Sequence, residues 1–220
     1  FALRMPFVPF QPPSETALAV RQITRLAAQL ADQLTAARNR LHAALATATT
    51  HAAVLAHLRE HITQLDAHIV QLEDEALALV RKDDTLRRDL ELLDSLPGVA
   101  TRSALRLLGE LAVTPVAFTP RQLVAHAGLD VVRDRSGTSV DKPGHISKRG
   151  NTWLRRTIYM PALVACQHDK HFKAFNNRLL AKGKKPLQAI AAAMRKLLHA
   201  VAAVLQHKQP YDPNKLFALS

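Results

Sequence analysis

Apolar residues recur every three or four positions along most of this chain, and that period predicts helices almost throughout. Ser14 followed by Glu15 reads as a helix start. Ile23, Leu26, Leu30, Leu34, Ala37, Leu41 and Leu45 then step along one face of a long amphipathic helix. The stretch "ATATTHAA" at 46–53 is poor helix material and suits a turn, although its alanines could carry the helix through. From Leu55 the pattern tightens into heptads. Leu55, Ile62, Ile69, Ala76, Asp83 and Leu90 fall at one seam position, and Leu58, Leu65, Leu72, Leu79, Leu86 and Leu93 at the other. A sustained 3.5-residue period predicts a left-handed coiled coil, with the first helix folded back or a second copy of the chain as partner. Asp83 inside the seam would penalise misregistered pairing or mark where the supercoil loosens. An ordinary long core helix is the plainer alternative.

Proline, glycine and capping residues divide the remainder of the chain. Pro97 and Gly98 end the heptad helix, and Thr101 or Ser103 caps the next. Thr119, Pro120 and Gly128 bracket a short helix as N-cap, first turn and stop. Asn151 can cap a helix through "TWLRRTIYMPALVACQ", kinked at Pro161, and two more helices lie on either side of "KGKK". No segment alternates with period two for long enough to predict a strand. The expectation is an all-α protein, a long helical hairpin or coiled coil followed by a compact helical domain. Residues 1–13 form a linker, 14–93 a helical arm for oligomerisation, 94–207 a carboxy-terminal domain and 208–220 a tail.

Charge sharpens this division. Residues 1–96 hold 10 Lys/Arg against 12 Asp/Glu, whereas residues 97–220 hold 20 against 6, within a chain of net charge +12. The basic half is the one expected to meet a polyanion, and nucleic acid rewards such an excess by counterion release. No run approaches the roughly 18 apolar residues that span a bilayer, which argues against a membrane partner. Cys166 is the sole cysteine, so an internal disulfide is impossible and a reducing compartment is expected. The opening "FALRMPFVPFQPP" reads as a linker from something upstream.

Candidate chemistry lies in three places. "HLREH", His57 to His61 with Glu60, fits a zinc-protease pattern, but Leu58 belongs to the seam and no third ligand is evident, so no metal site is expected. "LPGVATRSALRLL" resembles the helix-hairpin-helix motif of sequence-independent DNA-binding proteins, with Gly98 at the turn; a plain capped turn between helices is its ordinary alternative. The third place is "RDRSGTSVDKPGHISKRGN", which has several hydroxyls, three glycines and many cations and offers almost nothing to bury. Ser147, Lys148, Arg149 and Asn151, with Arg155 and Arg156 one turn into the next helix, suit a grip on a phosphodiester. Ser136 and Ser139 lie beside Arg135 and the hinge Gly137. Guanidinium groups can stabilise charge on a phosphoryl centre, but nothing identifies a base, and a hydrogen-bonding loop serine is the ordinary reading.

"LLDSLPGVATRSALRLLGEL", "FTPRQLVAHAGLD", "RSGTSVDKPGHISKRGNTWLRRTIYMPALVA" and "MRKLLHAVAAVLQHKQPYDP" resemble, in order and spacing, the carboxy-terminal half of the insertion-sequence-110 family of transposases, over about residues 90–215. The resemblance implies a DNA recombinase of mobile elements, guided by a structured RNA and acting in the bacterial cytoplasm at the nucleoid. It also implies an amino-terminal RuvC-like domain that binds Mg2+, and a coiled coil that makes a dimer or tetramer. By position in the motif the catalytic serine falls on Ser136, with Ser139 in reserve. No cofactor is expected in these 220 residues. The chain begins about where the family's last metal-binding acid has been passed, so alone it is expected to bind rather than cut. Pro161 departs from the family pattern. The rival expectations are a DNA- or RNA-binding module without chemistry and a coiled-coil adaptor.

Overall fold

The computed structural model describes residues 12–114, 118–133 and 144–217, and the backbone alone at 135–136 and 140–141. Among the described residues it is all-α apart from four two-residue strands. Ser14 does start the first helix, accepting a hydrogen bond from the Ala17 amide at 3.1 Å. α1 (Glu15–Leu45) and α2 (Ala52–Lys82) then form an antiparallel hairpin, turned by residues 46–51. Arg38 meets Asp66 across it, and Leu34 and Ala37 pack on Leu65 and Ile69 in a small cluster separate from the main core. The buried stripe of α1 differs from the leucine face the spacing predicts. Ala17, Val20, Thr24, Ala27, Leu34 and Ala37 are buried, whereas Leu26 and Leu45 are exposed. Small residues win at the base of the arm because α4 (Thr101–Leu111) closes in there, with Gly109 against Thr24.

The heptad helix is two helices. α2 stops at Lys82, and Asp83, at φ −110 and ψ 110, N-caps α3 (Asp84–Asp94) by accepting from the Thr85 and Leu86 amides at 2.9 and 3.0 Å. Asp83 is therefore a cap and not a seam residue; its short carboxylate satisfies helix-end donors that would otherwise be orphaned. Within α2 the buried positions run Leu65, Ile69, Glu73, Ala76 and Val80. That stripe drifts as a straight 3.6-residue helix does, and leaves Leu72 and Leu79 half-buried at its edge.

The main core joins α3, α4, α5 (Pro120–His126), α6 (Thr152–His168), α7 (Lys170–Ala181) and α8 (Pro186–His207) with the base of the arm. Leu93, Leu107, Leu108, Leu129, Leu154, Leu197 and Leu198 are fully enclosed, each stabilising the fold by about 2 kcal/mol through burial. Thr119 caps α5 in a reciprocal box with Gln122. The cap of α4 is Ala100, which makes no side-chain bond, so neither Thr101 nor Ser103 plays the expected part. Pro161 sits inside α6. Helix α8 is long and apolar enough, by length and composition, to cross a bilayer, even though Arg195 and Lys196 interrupt its apolar run; its apolar residues form part of the core. Beyond α8 the chain folds back. The Tyr211 amide donates to Ser95 Oγ at 3.1 Å, and α9 (Pro213–Phe217) sets Phe217 against His171, Phe172 and Phe175.

Between α5 and α6 the described residues pair as short antiparallel ladders rather than as an irregular loop, and together they are called the ribbon here. β1 (Val131–Val132) pairs antiparallel with β4 (His145–Ile146), and β2 (Arg135–Ser136) with β3 (Val140–Asp141). Two-residue ladders carry too little alternation to show in the sequence. Between the ladders the return strand has one residue more than the outgoing one. The pair Ser136–Val140 is the most distal, with three residues between its members.

Candidate nucleic-acid interface

The base of the ribbon is fixed by backbone contacts that glycines permit. Gly128 adopts φ +66, and a Cβ there would lie 2.6 Å from the Arg149 carbonyl oxygen. Gly150 adopts φ +128, and a Cβ there would lie 2.3 Å from the His126 carbonyl oxygen. The Lys148 amide donates to Gly128 O at 2.9 Å, and the Asn151 amide to His126 O at 2.7 Å. Ser147 is bound twice to Asp130, by its amide to the carbonyl at 2.9 Å and by its hydroxyl to the carboxylate. These bonds force Lys148 into a left-handed conformation, φ 55, which costs a non-glycine residue about 1 kcal/mol.

Around this base the residues expected to grip phosphate divide. Asn151 caps α6 through the Leu154 amide at 3.0 Å and donates to Glu110 Oε2 at 2.6 Å. Arg155 donates to the Ala127 carbonyl at 2.9 Å, a cation at the C-terminal end of α5. Arg156 forms a bidentate pair with Asp32 of the arm at 2.9 and 2.5 Å and lies over Trp153. Ser147 belongs to Asp130. Lys148 and Arg149 remain: both side chains are exposed and neither makes an ion pair among the described residues. The four cations that look alike in the sequence are two tethers and two available charges.

Gly98, at φ +74, lies where a Cβ would be 2.3 Å from the Pro161 carbonyl oxygen. Its close backbone approach is to α6. The backbones of Arg135 and Ser136 lie in β2, but their side chains lie outside the described residues, as does all of Ser139. Among the described residues no three His, Cys, Asp or Glu side chains gather as a metal site. His57 and His61 stack with centroids 6.4 Å apart on the arm, without further ligands among the described residues. Burial pushes the Cys166 thiol up to about 11, which keeps it protonated.

Two buried carboxylates stand outside the sequence expectations. Glu110, 3% exposed, accepts from Arg25 at 2.6 and 2.9 Å and from Asn151, joining α1, α4 and the start of α6. Burial alone would raise its carboxyl, but the Arg25 and Asn151 hydrogen bonds and the charges of Arg25 and Arg21 hold it below the ordinary carboxylate value. Trp153 lies under Arg25 as well as Arg156. Glu73 ties α2 to α4 through Arg106 at 2.7 Å and Arg102 at 2.9 Å, the second an ion pair without hydrogen-bond alignment. The arm is thus clamped to the domain that carries the ribbon. Acids amid an arginine-rich surface were the available signal.

Residues 90–177 match the model of the transposase IS116/IS110/IS902 family. This segment belongs to that transposase family. It runs from within α3 to within α7, so it contains the Gly98 turn, the whole ribbon and the Lys148–Arg156 region. The "pilin gene-inverting protein" of Moraxella bovis is 32% identical over 157 residues, 71% of this chain and 47% of that protein, and its namesake in Moraxella lacunata aligns equally. The insertion element IS110 43.6 kDa protein of Streptomyces coelicolor is 29% identical over 121 residues, 55% of this chain and 30% of that protein. The chain spans about half the length of the two Moraxella relatives.

Proposed function

We propose that this chain is the DNA-engaging part of a transposase that carries out site-specific recombination in bacterial cells, with a serine as nucleophile and a structured RNA as guide. The observation that carries the proposal is the family segment itself: it centres on a ribbon with Lys148 and Arg149 free at its base and Ser136 at its distal pair. The Moraxella relatives are named for inverting a gene, an outcome that needs strands cut and rejoined without loss. A covalent protein–DNA intermediate serves that need.

In this reading Lys148 and Arg149 hold backbone phosphates, Arg149 by its planar fork. The Ser136 hydroxyl oxygen attacks a backbone phosphorus, the bond from phosphorus to one sugar oxygen breaks, and the hydroxyl proton ends on the departing oxygen. A phosphoserine ester then stores the linkage until another strand's hydroxyl reverses the step. Ser139 is the reserve nucleophile. Magnesium, which the family resemblance implies for a RuvC-like domain, finds no matching acid cluster among the described residues, and no step here runs through it. The arm, through the exposed side of its hairpin, is proposed to bring copies of the chain together as a dimer or tetramer.

The test is a strand-joining assay with the transposase that includes the RuvC-like domain. Wild-type protein and Ser139→Ala should leave a denaturation-resistant protein–DNA adduct, and Ser136→Ala should leave none. An adduct that survives Ser136→Ala removes the nucleophile assignment. A binding module without chemistry is favoured if duplex binding persists while no variant, wild type included, gives an adduct.

A further inference from the structure

We propose that the outward face of α7 and the turn that follows it, with Lys170, Lys173, Lys182, Lys184 and Lys185, form a second surface for backbone phosphates of duplex DNA, separate from the ribbon. The inference rests on the reading of the chain as the DNA-engaging part of a transposase, and it adds a contact that the ribbon does not supply.

From Lys170 to Tyr211 the sequence holds nine Lys/Arg and neither Asp nor Glu. Five of those cations stand together. Helix α7 buries Phe172 and turns Lys170, Lys173, Ala174, Asn177 and Ala181 to solvent, at the three- and four-residue spacing of one helix face. The turn then adds Lys182, Lys184 and Lys185, all exposed. Its backbone is fixed: the Gly183 amide donates to Leu180 O at 2.9 Å and the Lys184 amide to Leu179 O at 3.1 Å, the bond pair of a Schellman motif. Gly183 takes φ +78, and a Cβ there would meet nothing within 4 Å, so the turn stands clear of the other described residues.

None of the five ammonium groups forms an ion pair among the described residues, whereas Lys208 meets Asp89. The adjoining carboxylate, Asp169, is committed to the cap of α7, where it accepts from the His171 and Phe172 amides at 2.9 Å. Helix stability does not account for the placement either. The N-terminus is the positive end of the helix dipole and disfavours nearby cations. Yet Lys170 and Lys173 occupy the first turn of α7, Lys184 and Lys185 immediately precede α8, and neither helix has an acid in its first turn. Only Lys182, the C-terminal cap of α7, lies where the dipole favours a cation. Four of the five charges are set against their own helices, and an external polyanion offsets that cost.

The composition of the face identifies the occupant. Ala174 and Ala181 lie among the lysines and let a bulky polyanion approach the helix. Phe172 is buried, and Phe175 is half-buried beside Arg178 and Phe217, so the face offers no ring on which unpaired bases could stack. Lysines supply point charges rather than the planar fork of arginine, which suits phosphates held without regard to sequence. The 12 residues of α7 span about 18 Å, or about five base-pair steps. The 17 residues of α6 set Lys170 about 25 Å from the base of the ribbon. A duplex longer than one turn, about 34 Å, reaches both, and it is the DNA flanking the phosphate held at the ribbon.

The experiment is fluorescence anisotropy of a labelled random-sequence DNA duplex with the full chain over a salt series, with an RNA duplex of equal length in a parallel arm. Wild type is compared with three variants: the turn triple Lys182→Gln, Lys184→Gln, Lys185→Gln; the α7 pair Lys170→Gln, Lys173→Gln; and the ribbon pair Lys148→Gln, Arg149→Gln. Arg40→Gln, Arg59→Gln, Arg81→Gln, at exposed positions of the arm, matches the triple in net charge. The turn triple should lower the DNA salt slope by about 3 and the α7 pair by about 2, independently of the ribbon pair, and the arm control should leave it unchanged. Melting temperatures of the same samples should not fall, since the lost charges oppose the helix dipoles. If the triple and the α7 pair leave the slope unchanged while the ribbon pair lowers it, the second surface is overturned and the DNA-binding reading stands. A control that lowers the slope as much as the triple also overturns it, because net charge alone is then at work. If wild type shows no salt-dependent duplex binding, both readings fall. If the triple and the pair weaken RNA alone, duplex DNA is the wrong occupant.

Discussion

At the base of the ribbon nearly every polar group is committed, whereas two adjacent cations in the same turn have nothing to hold. Asn151, Arg155 and Arg156 are fixed by Glu110, the Ala127 carbonyl and Asp32, while Lys148 and Arg149 project into solvent. The difference lies in neither residue type nor sequence spacing. It lies in whether the fold brings an acceptor within reach, and it separates groups that position the interface from groups that can meet a ligand. Substitutions on the committed side should therefore change stability, and substitutions on the free side should change binding alone.

The largest stability effect is expected at Glu110. Glu110→Gln leaves Arg25 facing a neutral amide in a buried setting and should cost about 3 kcal/mol, read as a lower denaturant midpoint. The same residue sets an acid limit. Its folded carboxyl titrates below the ordinary value, so its stabilisation is fully present above about pH 4.3 and is lost as pH falls through the lower folded value. Wild-type stability should drop across that acid range, and Glu110→Gln should flatten the drop. Gly150→Ala comes next, at about 2 kcal/mol or more, since it combines a positive φ with a clash at the His126 carbonyl. Asn151→Ala, which loses a cap and one bond to Glu110, should cost about 1 to 2 kcal/mol by thermal unfolding. Asp32→Ala, which frees Arg156 from an exposed pair, should cost under about 0.5 kcal/mol.

The same contrast explains what could be read from the sequence. Helix starts at Ser14, Thr119 and Asn151 were legible because a cap is a local bond between a side chain and an amide two or three residues on. Asp83 misled because its place in the heptad count was also a place where a carboxylate can end one helix and start the next. The leucine face of α1 misled because α4 approaches the arm so closely that only small side chains fit. Gly98 marked a turn, but that the turn rests on α6 is a tertiary fact. The ribbon was legible as a break in helical pattern and not as strands, since each ladder is two residues long. At the candidate site the concentration of cations was plain from the sequence, but the partners that tether two of them, the Ala127 carbonyl and the Asp32 carboxylate, lie 28 and 124 residues away.

Central to all of this is that Lys148 and Arg149 are unspent charges held ready for backbone phosphate. The most direct test is the salt dependence of duplex binding for wild type and for the Lys148→Gln, Arg149→Gln pair, with thermal unfolding measured on the same samples. Unspent charges predict a salt slope lower by about 2 and an unchanged melting temperature. An unchanged slope, or a melting temperature that falls with the slope, would contradict them.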